Sequence, residues 1–354
     1  MELPQHWATA SGESPHLGAH GGTLVVWGWS STSDAEAQEV ARERLADALR
    51  RLAAGGAVRR GEAYYPRTPL REPVLEEVTA PGGALLGLVS RNRMGCEVLN
   101  TDLLLIADVD APELQETAVP VRRRGRAAPG AGAGDGGRLL GWVRRVVLGR
   151  PDPTPTTPGS QDAAGLDGGE PASVARPSSG YEPYRDGADG VSVTRTGPGG
   201  PSVAECLACE PVWEFARRHP DLGVRVYRTA AGLRVLVTGA GAPPRSERAR
   251  ELLTELGSDP LYVELCDTHD SYRARLTPKP FRIGTESLSV TWPCAGDREE
   301  RRWLRWVDRY DEAAAGYAVC RLVSASGPVP GGAEQALVEL HDERCRVGDG
   351  LPLA

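Results

Sequence analysis

The sequence predicts an α+β protein: a mostly antiparallel sheet with helices packed on it, interrupted by a long disordered insertion. Three observations lead there. Strand-like and helical periodicities alternate along the chain. Several strand candidates are joined by hairpin turns rather than helical crossovers. Near Pro120 the composition shifts abruptly to Gly, Pro, Ala, Ser, Thr and Asp, and stays so to about residue 201. The expected organisation is a loose polar arm over 1–22, the first part of the domain over 23–123, a disordered linker over 124–201, and the second part over 202–354.

Thr23–Trp29 (TLVVWGW) reads as a strand. A helix follows, with Ser33 as N-cap and Glu36 three residues on, the pattern of a capping box. Ala41, Leu45, Ala48, Leu49 and Leu52 recur at helical spacing, and Gly55-Gly56 ends the run. Prolines at 66, 69, 73 and 81 make residues 62–82 extended or looped. Ala84–Ser90 is a second strand, Arg91–Gly95 a turn, and Leu103–Ala107 a third strand, apolar on both faces and therefore central. Inside the linker only Leu139–Leu148 has the pattern of a short amphipathic helix.

Order resumes at Val203 with a helix to His219 that carries Pro211 inside it. Val224–Arg228 and Leu233–Val237 alternate around Thr229-Ala-Ala-Gly232, a β-hairpin in which Gly232 is expected to supply a positive φ. Ser246–Leu256 reads as a helix, Leu261–Cys266 as a short strand, and Tyr272–Leu276 as another. Asp297–Ala315 is a helix expected to turn Trp303, Leu304, Val307 and Tyr310 to one face. Tyr317–Val323 is a strand and Ala333–Arg344 the last helix. No internal repeat is evident.

Composition narrows the function classes. The 354-residue chain is 40% hydrophobic and 25% charged, ordinary for a globular protein. Its net charge of −7 disfavours non-specific coating of duplex nucleic acid, which calls for a basic domain. No apolar run approaches the roughly 18–20 residues of a membrane helix, and Met1–Gly22 lacks the basic-then-apolar order of a signal peptide. Seven scattered cysteines in a chain this size read as reduced thiols, so a cytoplasmic protein is expected. Lys279 is the only lysine; every other cationic side chain apart from histidine is arginine.

Three groups of residues could carry chemistry. Asp108 and Asp110 end a buried strand two residues apart, so both carboxylates point to one face. That pair can hold Mg²⁺ or Mn²⁺ against a substrate phosphate, with Asp102 or Glu113 near in sequence as further ligands. The turn with Arg228, Thr229, Gly232 and Arg234 offers backbone N–H groups and guanidinium donors to a phosphate. Arg273, Arg275, Lys279 and Arg282 form a cationic strip on a Pro-bracketed segment, with Arg273 and Arg275 on one strand face and Tyr272, Ala274 and Leu276 on the other. Each has a plain alternative: a strand-end turn, an ordinary hairpin, a solvated arginine surface. Cys206-x-x-Cys209 reads as two thiols on a helix, His269 as a polar loop residue, and His341-Asp342 has no nucleophile motif beside it.

Two resemblances add expectations. WGWSSTSDAEAQEVA at 27–41, PLREPVL at 69–75, LLIADVD at 104–110, RVYRTAAGLRVLVT at 225–238, DPLYVELC and YRARLTPKPFR within 259–282, and the terminal LHDERC and GLPLA resemble an uncharacterised family of bacterial cytosolic proteins. The order of strand-borne DVD, helix, and strand–turn–strand with TAAGLR is similar to the palm of archaeo-eukaryotic primase-polymerases. That resemblance implies Asp108 and Asp110 as metal ligands, Thr229 and Gly232 as the phosphate turn, Glu264 or Asp267 as a third acidic ligand, and a divergent nucleotidyltransferase. Arg234 stands where the palm family has a histidine, which puts polymerase activity in doubt. A non-catalytic binding protein and a nucleotide-sugar glycosyltransferase with a DxD metal motif are the other classes the sequence allows.

Overall fold

The computed structural model of the protein describes residues 3–17, 21–56, 69–114, 191–192 and 202–354, except the side chains of Glu113, Val191 and Ser192. The fold is α+β with antiparallel strand pairing. One hairpin and two larger sheets carry it.

The hairpin joins β1 (His6–Ser14) to β2 (Gly22–Ser30), from His6 opposite Ser30 to Ser14 opposite Gly22. The segment expected to be a loose arm therefore holds a strand. Its small and polar residues hide a weak alternation. The order comes from aromatic contacts instead: Trp7 lies 6.0 Å from Trp29 and 6.4 Å from Trp27, and the Arg71 guanidinium sits 3.7 Å over the Trp27 ring. Helix α1 (Asp34–Ala53) packs on this ribbon. Ser33 caps it by accepting from the Glu36 N–H, but the Glu36 carboxylate turns to the Ser30 hydroxyl. Gly28 permits the contact: a Cβ there would sit 2.2 Å from Ala37 O and Ala41 N. Ala41 and Leu52 of the predicted apolar face are buried.

The four-stranded sheet has the order β10, β5, β4, β3, with β3 (Val74–Thr79), β4 (Leu85–Arg91), β5 (Glu97–Thr101) and β10 (Tyr272–Arg275). The five-stranded sheet has the order β6, β9, β8, β11, β7, with β6 (Leu105–Asp110), β7 (Val191–Ser192), β8 (Gly223–Thr229), β9 (Gly232–Thr238) and β11 (Cys320–Ser326). Strand β7 falls within the segment expected to be linker and pairs with the end of β11. The rest of that segment, including the helix expected at 139–148, lies outside the described residues.

The helices are α2 (Val203–Arg218), α3 (Glu247–Glu255), α4 (Pro260–His269), α5 (Asp297–Ala314) and α6 (Gly332–Arg344). Leu261–Cys266 is thus helical, not a strand. The Asp259 carboxylate accepts from the Leu261 N–H and Pro260 occupies the first turn, a start signal that outweighs the short apolar run. On α5 the buried face is Trp306, Tyr310 and Ala314, while Leu304 is exposed. Trp306 and Tyr310 stack at 4.8 Å over Ile283, Leu288 and Val290, a small core of their own. The main core joins both sheets, with Leu99, Ile106, Phe215, Tyr227, Leu236 and Tyr272 among its fully buried side chains. No helix among the described residues is long and apolar enough to cross a membrane.

Candidate functional site

Strand β6 runs antiparallel to β9, with Asp108 opposite Arg234 and Asp110 opposite Gly232. Asp108 is half-buried and Asp110 exposed. The loop before α4 anchors this strand end: Asp259 N–H and the Ser258 hydroxyl both donate to the Asp108 carbonyl. Of the other carboxylates considered as ligands, Asp102 lies in the bend before β6, at the opposite end of the strand from Asp110. Glu264 is exposed on α4, and Asp267 accepts from Arg250. The Glu113 side chain is outside the described residues. Among the described residues no third carboxylate joins the aspartate pair.

Gly232 is required by a close approach, not by a positive φ. It is not among the positive-φ glycines, and a Cβ on it would meet Val109 O at 2.2 Å and Ala111 N at 2.9 Å. The Thr229 hydroxyl is spent inside the turn, donating to the Gly232 carbonyl at 3.1 Å. The flanking arginines point inward. Arg228 donates to the Leu114 and Gly232 carbonyls, and Glu205 lies 3.6 Å away. Arg234 is 2% exposed and donates to the Arg275 carbonyl at 2.8 Å, to His341 Nε2 at 3.2 Å and to Cys345 Sγ at 3.7 Å. Both arginines expected at a ligand are thus buried and have partners in the interior.

Strand β10 keeps the predicted alternation. Tyr272, Ala274 and Leu276 are fully buried, and Arg273 and Arg275 are half-buried. The two arginines differ. Arg273 makes a two-oxygen contact with the buried Glu72 carboxylate at 2.7 and 2.9 Å. Arg275 has no carboxylate within ion-pair distance among the described residues, and neither has Lys279 or Arg282. Pro280 starts a 3₁₀ turn (Pro280–Ile283) with Lys279 at its N-cap, which holds the segment stiff. Burial, then the charges of Arg275 and Arg282, push the Lys279 ammonium down to about 8, while Asp108 opposes them. Burial and the Arg275 charge likewise lower Arg282, again opposed by Asp108. Asp108 therefore faces the strip electrically without pairing with it. Between the cations Phe281 is 54% exposed, its ring 5.9 Å from Lys279 Nζ and from Arg282 Cζ. This aromatic was not among the expected site residues; its place between two cations in the segment Lys279-Pro-Phe-Arg282 was the available signal.

A second group escaped sequence reasoning. Cys320, His341 and Cys345 are all buried, with their ligating atoms within 4.8 Å of one another. His341 Nδ1 is 2.9 Å from Asp342 Oδ1, and Arg225 donates to Asp342 Oδ2 at 2.9 Å. Burial works against a charged Cys345, but Cys320, His341 and Arg234 outweigh it and hold the thiol well below its ordinary value. His341 and Cys345 lie one helical turn apart, the one clue the sequence held. Elsewhere, Cys209 is buried on α2 and burial pushes its thiol up to about 12, whereas Cys206 on the same helix is half-buried. His269 ends α4 rather than lying in a loop; burial and then Arg273 push it down to about 4.

No protein-family model, curated protein or solved structure matches this chain.

Proposed function

We propose that the protein binds a nucleotide, or another phosphate-bearing ligand, on the segment from Arg275 to Arg282. The observation that carries this reading is the set of three half-buried cations without carboxylate partners among the described residues, gathered on the end of β10 and the Pro-braced turn after it. Clustered like charges raise each other's energy, and an anion with several oxygens relieves it. Phosphate oxygens suit the guanidinium forks of Arg275 and Arg282 and the point charge of Lys279. Phe281 offers an exposed ring on which a base can stack. Asp108 and Asp110, two residues apart on one strand, are the proposed Mg²⁺ or Mn²⁺ ligands, with the ligand phosphates completing the shell.

A specific observation favours binding without catalysis. Arg234, which stands where the primase-polymerase palm has its histidine, is buried against His341 and Cys345 and cannot reach a phosphate. The reading is therefore of a nucleotide-binding domain with a palm-like motif order and no nucleotidyl transfer. A cytoplasmic setting fits seven cysteines of which none is in a disulfide.

Calorimetric titration of ATP, GTP and dNTPs, with and without Mg²⁺ or Mn²⁺, tests this. Wild type should bind. Lys279→Ala/Arg282→Ala should weaken binding by about tenfold or more, each lost charge-assisted contact contributing about 1–3 kcal/mol. Asp108→Asn/Asp110→Asn should remove the metal dependence. Absence of binding to wild type under all conditions sinks the proposal.

A further inference from the structure

We propose that Cys320, His341 and Cys345 form a buried site for a thiophilic divalent cation of the zinc class. The site is separate from the phosphate strip in its chemistry: two sulfurs and an imidazole suit zinc and exclude a preference for Mg²⁺ or Mn²⁺. Three elements converge on it. Cys320 begins β11, His341 sits in the last turn of α6, and Cys345 caps that helix.

Geometry supports it at two levels. Cys320 Sγ is 4.0 Å from His341 Nε2, and all three ligating atoms lie within 4.8 Å, a separation that a cation bonded to each at about 2.0–2.3 Å needs little movement to close. The second level is the outer partner. His341 presents Nε2 to the sulfurs because Nδ1 is turned to the Asp342 carboxylate, and Arg225 fixes that carboxylate in turn. A carboxylate behind a ligating imidazole sets its tautomer and raises its basicity. The Arg275 carbonyl, 3.4 Å from Cys345 Sγ, already accepts from Arg234 at 2.8 Å, so the three side chains are the protein's ligands. All three side chains are buried, so the cation would be structural, tying the C-terminal helix to the central sheet.

Arg234 is the counter-argument built into the site. Its Nη1 lies 3.2 Å from His341 Nε2 and 3.7 Å from Cys345 Sγ, so it uses the lone pair that a metal needs. Loading replaces that hydrogen bond, leaves the guanidinium on the Arg275 carbonyl at 2.8 Å, and releases to solvent the thiol protons the ligands still hold. If Arg234 is instead the resident cation, no metal enters.

The purified full-length protein, stripped with a chelator and titrated with Co²⁺ and Zn²⁺, separates these cases. One equivalent of Co²⁺ should bind, with intense sulfur-to-cobalt charge-transfer absorption and tetrahedral d–d bands, and Zn²⁺ should displace it. Cys320→Ser and Cys345→Ser should abolish the charge-transfer signal or reduce it to one sulfur's worth. Asp342→Asn should weaken binding about 10–100-fold while leaving the spectrum's form intact. Cys294→Ser, at a half-exposed cysteine remote in sequence from the cluster, should change nothing. A wild-type protein that shows no sulfur-to-cobalt band, or a Cys320→Ser/Cys345→Ser variant that binds Co²⁺ as tightly as wild type, overturns the proposal. The wild-type spectrum decides even where a cysteine variant fails to fold.

Discussion

Arg234 bonds the backbone of Arg275 and Lys279 feels the charge of that arginine's side chain, yet the two cations are held in opposite ways. Arg234 is 2% exposed and reaches a carbonyl, an imidazole and a sulfur. Lys279 is half-buried, has no carboxylate partner among the described residues, and is pressed down to about 8 by burial and by two neighbouring arginines. Arg275 links the regions: its carbonyl receives Arg234 while its side chain belongs to the strip with Lys279. The difference teaches that a cation's usefulness to a ligand depends on what already satisfies it. The hairpin arginines look equally available in the sequence and are consumed by the fold.

The comparison breaks most readily at Arg234. Arg234→Ala should cost about 3 kcal/mol or more, because it empties a buried polar site and strands its partners; a denaturant midpoint within experimental error of wild type would contradict its interior role. Gly232→Ala should cost about 2 kcal/mol, since the new methyl group meets the Val109 carbonyl at contact too close to tolerate without shifting the strand. The same substitution at solvent-facing Gly348, with open space around its Cβ position, is the control.

Acid sharpens the picture next. His269 is held at about 4, below its unfolded value of 6.5, so the unfolded chain binds the proton first as pH falls. Stability contributed by the neutral ring is full above pH 6.5 and is lost between 6.5 and 4, by up to roughly 2–3 kcal/mol. His269→Gln should flatten that part of the stability profile; an unchanged slope would contradict the assignment. Lys279 gives the same sign at higher pH. Between about pH 8 and 10.5 the unfolded chain keeps a proton that the folded chain has lost, so stability rises with pH across that window. Lys279→Met should be neutral to stabilising by about 1 kcal/mol at pH 7 and should lose that rise. Phosphate binding to wild type should weaken as pH climbs through about 8 and should take up protons there, visible as a buffer-dependent heat.

Much of the fold is legible in the sequence because it is written in local patterns. The Ser33 start of α1, the β8–β9 hairpin, the apolar β6 and the alternation of Tyr272, Ala274 and Leu276 all follow from periods of two or of three to four residues. Strand β1 does not, since its order rests on tryptophans from the next strand and a distant arginine. Helix α4 was readable from Asp259-Pro260 and was masked by a short apolar run. The candidate site divides in the same way. The strip is continuous in sequence and therefore visible. Which of its cations are satisfied is settled by partners far away, such as Glu72 for Arg273, 201 residues off. The Cys–His group needed Cys320 brought to His341 across 21 residues, which no local pattern encodes.

The proposed phosphate site requires Arg275 and Arg282 to be accessible while Arg228 and Arg234 stay engaged in the interior. Arginine modification by phenylglyoxal, read site by site by mass spectrometry with and without ATP and Mg²⁺, tests it most directly. Arg275 and Arg282 should react readily and be protected by ATP, while Arg228 and Arg234 stay unmodified in both cases. Reaction at Arg228 or Arg234 comparable with the strip, or no protection of Arg275 and Arg282 at saturating ATP, would contradict the account.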